Sequence, residues 1–172
     1  MHQNSLFSWA GRRALAALCS FGVIVQCGRA APESNSYASP DGLLLAKVVT
    51  ANKRGESRVE IHKKDGGLLV AEDYSSPDGE HGQAVCHAGW TPDSQFFVFS
   101  TQNTGGHAPW ARPTFFYSRK LNRVIGLDKL IGAVTECAFG LRAPDLLETK
   151  TLKPGEELEG VAVKVSLHKL EK

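Results

Sequence analysis

From residue 43 onward, apolar residues come in short runs separated by Gly, Pro, Asp and Asn, and hardly ever at helical spacing. Leu43–Thr50 is apolar and partly β-branched. Arg58–Lys63 alternates, with Val59 and Ile61 on one face. Asp65-Gly66-Gly67 supplies turn residues that tolerate positive φ, and Leu68–Ala71 follows as a return strand. Ala84–Trp90 predicts a further strand. Gln95–Thr101 (QFFVFST) is apolar on both faces, the pattern of a strand covered on both sides. Thr114–Ser118 and Arg123–Leu127 flank Arg119-Lys120-Leu121-Asn122 as a hairpin, and Leu127–Gly132 fits a helical turn or two. Glu136–Leu141 and Leu146–Leu152 are weaker strands, and Lys153-Pro154-Gly155-Glu156 is a turn. Val161, Val163, Val165 and Leu167 alternate with Ala162, Lys164, Ser166 and His168 as a half-exposed strand. This pattern predicts an all-β domain. Without long crossover helices, its sheets must be antiparallel.

Length limits the architecture. The chain has 172 residues, whereas a TIM barrel needs about 250. A closed propeller needs at least four blades of about 40 residues each, about 160 in all, more than the 142 residues that follow the first thirty. A single domain of propeller-blade-like or sandwich-like sheets remains, without closure.

The first thirty residues read as an address. Residues 1–13 contain no acid and end in Arg12-Arg13, and residues 14–25 are an uncharged apolar run. Gly28-Arg29-Ala30 then offers small residues at a cleavage point. This is the layout of a secretory signal peptide, and the run is short for a membrane-spanning helix. Ile24-Val25-Gln26-Cys27 is similar to a bacterial lipoprotein box, with Gln26 where Gly, Ala or Ser is usual, so Cys27 is a candidate lipidation site. Residues 31–36 read as a tether, and 37–172 as the domain.

Removing residues 1–30 changes the charge. The whole chain carries 20 Lys and Arg against 18 Asp and Glu; without Arg12, Arg13 and Arg29, 17 remain against 18, a net of −1. A near-neutral domain with no basic cluster argues against a nucleic-acid partner. Contact with a membrane is expected only through the signal peptide or a lipid anchor.

Cys19 and Cys27 fall within that segment, leaving Cys86 and Cys137. In an exported chain two remaining cysteines favour a disulfide. Closing a loop of about 50 residues is worth roughly 4 kcal/mol in the chain-entropy model. The competing reading is two buried thiols.

Two segments carry a repeat. Tyr37-Ala38-Ser39-Pro40-Asp41-Gly42-Leu43-Leu44 and Trp90-Thr91-Pro92-Asp93-Ser94-Gln95-Phe96 both pass from an aromatic through Pro-Asp into an apolar strand. Proline presets φ at the first corner, Asp closes an Asx-type bond, and Gly or Ser takes the last corner. These segments resemble the TolB-type, WD-like propeller repeat, in which such a turn joins two strands of one blade. Ser76-Pro77-Asp78-Gly79 has the same turn residues but no apolar strand after it, and reads as a loop turn. Trp90–Asp145 also resembles a group of exported bacterial proteins, through Trp90–Ser94, Gly105–Trp110, Phe116–Lys120 and Arg142–Asp145. That resemblance implies an envelope or secreted location and no particular chemistry.

The stretch Thr101–Pro113 is the least ordinary part of the chain. It joins two apolar strands and carries Asn103, His107, Trp110 and Arg112, stiffened by Pro109 and Pro113. Trp and Arg are frequent interface anchors, and loops on rigid sheets carry function. These four residues are the candidate partner-binding set. The competing reading has Trp110 folded back over a sheet end.

Catalytic and metal signatures are weak. His81, Cys86, His87 and His107 match no zinc spacing. There is no G-x-S-x-G elbow and no phosphate-binding loop. The residues imply neither metal nor cofactor. The expectation is an exported, non-enzymatic binding or scaffolding protein of the cell envelope, periplasmic or extracellular, engaging a protein or a small envelope component. Two alternatives stand beside it. One is a small secreted hydrolase using His107 with Cys86, Asp93 or Asp78. The other is an envelope-assembly lipoprotein acylated at Cys27.

Overall fold

The computed structural model describes residues 33–106, 110–152 and 160–171. The expected signal peptide, Cys27 and the turn at 153–156 lie outside these. The described chain is all-β, built as three antiparallel sheets, none closed into a barrel. The first holds β1 (Ser34–Ala38), β2 (Leu44–Thr50), β3 (Ser57–Lys63) and β4 (Leu68–Asp73) in the order β1-β2-β3-β4. The second repeats this meander with β5 (Gln83–Trp90), β6 (Phe96–Asn103), β7 (Thr114–Ser118) and β8 (Arg123–Gly126). The third has the order β11-β10-β9, from β9 (Gly140–Arg142), β10 (Leu146–Thr151) and β11 (Val161–Ser166). Two single-turn helices, α1 (Asp128–Ile131) and α2 (Leu167–Leu170), follow β8 and β11.

The second sheet is the middle layer, and the alternation of its side chains shows why. In β6, Phe97 and Phe99 pack with Leu44, Ala46, Val48, Val59 and Ile61 of the first sheet, alongside Trp90 and Tyr117. Their neighbours Phe96 and Val98 point the other way, to Leu147 of the third sheet, with Phe116, Leu127, Val134 and Leu167. All four β6 residues are fully buried. Period-2 geometry thus feeds one strand into two cores. Each buried Phe contributes about 1.5–3 kcal/mol of hydrophobic stabilisation.

The two Pro-Asp turns are copies at the level of hydrogen bonds. In the first, the Ser39 hydroxyl donates to Asp41 Oδ1 (2.6 Å) and accepts from Leu44 N (3.0 Å), and Leu43 N donates to Asp41 Oδ1 (3.1 Å). In the second, Thr91 Oγ1 donates to Asp93 Oδ1 (2.6 Å) and accepts from Phe96 N (3.1 Å), and Gln95 N donates to Asp93 Oδ1 (3.0 Å). Gly42 (φ 67°) and Ser94 (φ 63°) fill the same left-handed corner. Ser76-Pro77-Asp78-Gly79 repeats the turn between β4 and β5: Ser76 Oγ lies 2.7 Å from Asp78 Oδ1, and Glu80 N donates to that oxygen at 2.9 Å. It is a loop turn, as its sequence predicts.

Three expectations change. Ser34–Ser36, expected in a tether, belong to β1, which pairs in continuous register with β2. The expected strand 136–141 shrinks to β9, because Cys137 is drawn into a disulfide and Phe139 onto His87. The alternation through His168 stops at Ser166, where the chain turns into α2. Asp145 causes the switch: its Oδ2 accepts from Ser166 Oγ (2.6 Å) and His168 N (2.9 Å).

Candidate functional site

The stretch 101–113 emerges from the most buried strand and is fastened on both sides. Thr101 N donates to Pro113 O at 2.8 Å, closing the neck. Asn103 ends β6 opposite Gln83. Beyond it Thr104 N donates to Gly82 O (3.0 Å), and Gly105 sits so close to the 80–82 turn that a Cβ there would lie 2.9 Å from His81 Cδ2. On the return side Arg112 N donates to Val134 O (2.8 Å) and Arg112 Nη1 to Ala111 O (3.1 Å). Trp110 is 55% exposed. His107 lies outside the described residues.

Under this loop is Glu56, a buried carboxylate that sequence reasoning missed. Its oxygens accept from Asn52 Nδ2 (2.6 Å), Ser76 N (2.9 Å) and Gly82 N (2.6 Å). The hydroxyls of Ser76 and Thr104 lie at 2.9 and 3.1 Å, each sharing its proton with other acceptors. Burial pushes the carboxyl up, but these hydrogen bonds outweigh it and hold the group at about 2. One charge therefore joins the β2–β3 loop, the β4–β5 connection and the start of the 101–113 loop. Gly82 is needed at this contact, since a Cβ would fall 2.6 Å from both Glu56 Cδ and Tyr74 O.

Cys86 and Cys137 are joined by a disulfide, with Cα atoms 5.8 Å apart. Cys86 sits where the β5–β6 register shifts. Such an irregularity lets adjacent residues face the same way. Cys86 bonds Cys137 while His87 meets the edge of Phe139 at 4.5 Å. Strict alternation, which would send Cys86 and His87 to opposite faces, fails here. The bridge also sits beside the loop, with Gln102 Oε1 4.0 Å from Cys137 Sγ.

Of the groups named for hydrolysis, Cys86, Asp78 and Asp93 are described and lie apart from one another, and His107 is not among the described residues. Cys86 is oxidised and offers no thiolate. Asp78 Oδ2 contacts His81 Nδ1 at 2.5 Å, which raises His81 above its ordinary value and depresses Asp78; the Ser76 hydroxyl is the largest influence on Asp78. Asp93 faces His168 Nε2 at 3.3 Å. Asp78 and Asp93 lie beyond opposite ends of β5, whose eight residues span roughly 26 Å. They cannot share one site.

At the other end of the sheets, the β3–β4 and β7–β8 hairpins and the first Pro-Asp turn enclose an open groove of about 620 Å³. Leu44, Leu69 and Tyr117 line it with Lys63, Lys64 and Arg119. The sequence shows each of these turns, the Pro-Asp motif included, but not that turns of two different sheets converge here.

No family model and no curated protein matches this sequence. Among solved structures, the chain is similar to the crystal structure of a puromycin hydrolase S511A mutant complexed with PGG, at 12% identity and a TM-score of 0.47. The match covers 80% of this chain and 21% of that one, so the chain spans about a fifth of that protein's length.

Proposed function

We propose that this chain is an exported, non-enzymatic binding or scaffolding protein of the cell envelope whose 101–113 loop engages a protein partner or a small envelope component. The observation that carries the reading is the combination of a firmly anchored loop and an exposed indole. The neck bond Thr101–Pro113, the Glu56 carboxylate beneath Thr104 and the Arg112–Val134 bond hold the base. Trp110, two residues before Arg112, is 55% exposed. An ordered aromatic in solvent costs burial energy that a partner can recover. Export is supported by the signal-like residues 1–30 and by the Cys86–Cys137 bridge, which suits an oxidising compartment. The TolB-type likeness is carried by the paired turns at Pro40 and Pro92.

The test is affinity capture from an envelope fraction with the disulfide-intact protein. Trp110→Ala should lose the captured partner while keeping the wild-type unfolding midpoint. Retention of every partner by Trp110→Ala together with Arg112→Ala would end the assignment of the loop.

A further inference from the structure

We propose a second binding site, distinct from the 101–113 loop: the groove at the Pro-Asp end of the first two sheets takes a small amphipathic anion, an apolar body bearing a carboxylate or sulfonate. Its size, about 620 Å³, falls in the range of small-molecule sites.

The floor is apolar. Leu44 and the Tyr117 ring are buried at its base, Leu69 packs against the same cluster, and Leu43 stands beside it 51% exposed. An exposed leucine flanking a buried apolar floor gives a ligand hydrocarbon to cover.

The rim is net positive: Lys63, Lys64 and Arg119 line it against Asp65, with Asp41 alongside. Asp41, next to the groove, is paired with Arg119 Nη1 at 2.5 Å. Asp65 turns its Oδ1 back to Gly67 N at 3.1 Å within its own turn. Lys63 and Lys64 are exposed, and neither has a carboxylate partner among the described residues. This separates them from Arg58, Lys150 and Lys164, which are each paired with a nearby glutamate. Asn122 holds a left-handed φ of 48°, and its Oδ1 accepts from the Tyr117 hydroxyl at 3.0 Å, which points its amide donor function away from that bond. Two ammonium groups and a guanidinium thus line a wall above an apolar floor, while Lys64 N donates to Leu43 O at 2.9 Å and fixes one turn against the other. Charge complementarity selects an anion, and the exposed leucine selects an apolar body.

The test uses the disulfide-intact chain and two fluorescent probes, anionic anilinonaphthalene sulfonate and neutral phenylnaphthylamine. The sulfonate should bind saturably at low salt, and Lys63→Gln with Lys64→Gln should weaken it about tenfold. The neutral probe should bind more weakly and be indifferent to those substitutions. Leu43→Ser should weaken both probes. Lys63 ends β3 and Lys64 starts the turn, both exposed, so the variant's unchanged unfolding midpoint verifies the fold. Trp110→Ala should bind the sulfonate as the wild type does, which separates this site from the loop. No saturable sulfonate binding, or an unchanged affinity in the lysine variant, would overturn the proposal.

Discussion

The backbone N–H of Asp41 donates to the Ser94 hydroxyl at 3.0 Å, so the two copies of the Pro-Asp turn touch one another across 53 residues. The contact ties the first sheet to the second at the end where both meanders make their first reversal. It also explains a departure from the repeat. Gly42 occupies the left-handed corner at no steric cost, whereas Ser94 occupies the same corner with a Cβ, at roughly 1–2 kcal/mol. Its hydroxyl is what that strain retains.

Substitution at this corner separates the two effects. Ser94→Ala keeps the strain and loses the bond, and should destabilise by about 1 kcal/mol. Ser94→Gly loses the bond but relieves the strain, and should be close to neutral. Urea unfolding of the two variants checks this; equal losses would mean that the hydroxyl alone matters.

The middle sheet makes a second prediction. Phe97 and Phe96 are adjacent and equally buried but serve different cores. Either one changed to Ala should cost about 3–5 kcal/mol. Only Phe96→Ala should also loosen α2, because Phe96 meets the edge of His168 at 4.8 Å. Hydrogen exchange at Leu167–Leu170 reads the difference: protection should fall in the Phe96 variant while the Phe97 variant keeps it.

The bridge between Cys86 and Cys137 closes a separation of 51 residues. Removing it as Cys86→Ala with Cys137→Ala should cost roughly 4 kcal/mol of unfolding free energy. Non-reducing peptide mapping should recover the two cysteine peptides as one linked species. Separate peptides in a sample never exposed to reductant would show that the two cysteines are not joined.

Much of the fold was legible because its signals are local. Pro40-Asp41 and Pro92-Asp93 set their own dihedrals and bonds, and QFFVFST announces burial on both faces without knowledge of what covers it. The parts that were not legible depend on distant partners. Ser34–Ala38 has no apolar alternation and becomes a strand only because β2 offers it an edge. Leu167 and His168 continue a strand pattern, yet Asp145 takes the His168 N–H and the chain turns helical. In the loop region, Trp110 is recognisable by residue type, and its exposure is a property of the fold. Glu56 had no signal at all: its neighbours Arg54 and Ser57 look like ordinary hairpin residues, and its donors come from residues 52, 76, 82 and 104.

That carboxylate gives a pH dependence with a definite sign. Glu56 is held at about 2 in the folded chain, against about 4.3 when unfolded. A carboxyl depressed by folding adds stability that is complete above its unfolded value and is lost as pH falls toward its folded value. The window therefore runs from about pH 4.5 down to about pH 2. Asp41 contributes in the same direction: bonds from Ser39 and then Arg119 bring it to about 2. Glu56→Gln cannot present two acceptors to Ser76 N, Gly82 N and Asn52 Nδ2, and should lower the urea midpoint at neutral pH. Below pH 4.5 its midpoint should fall less steeply than that of the wild type, because one of the depressed carboxyls is gone. Parallel curves down to about pH 2 would show that Glu56 titrates alike in both states and is not held by its donors.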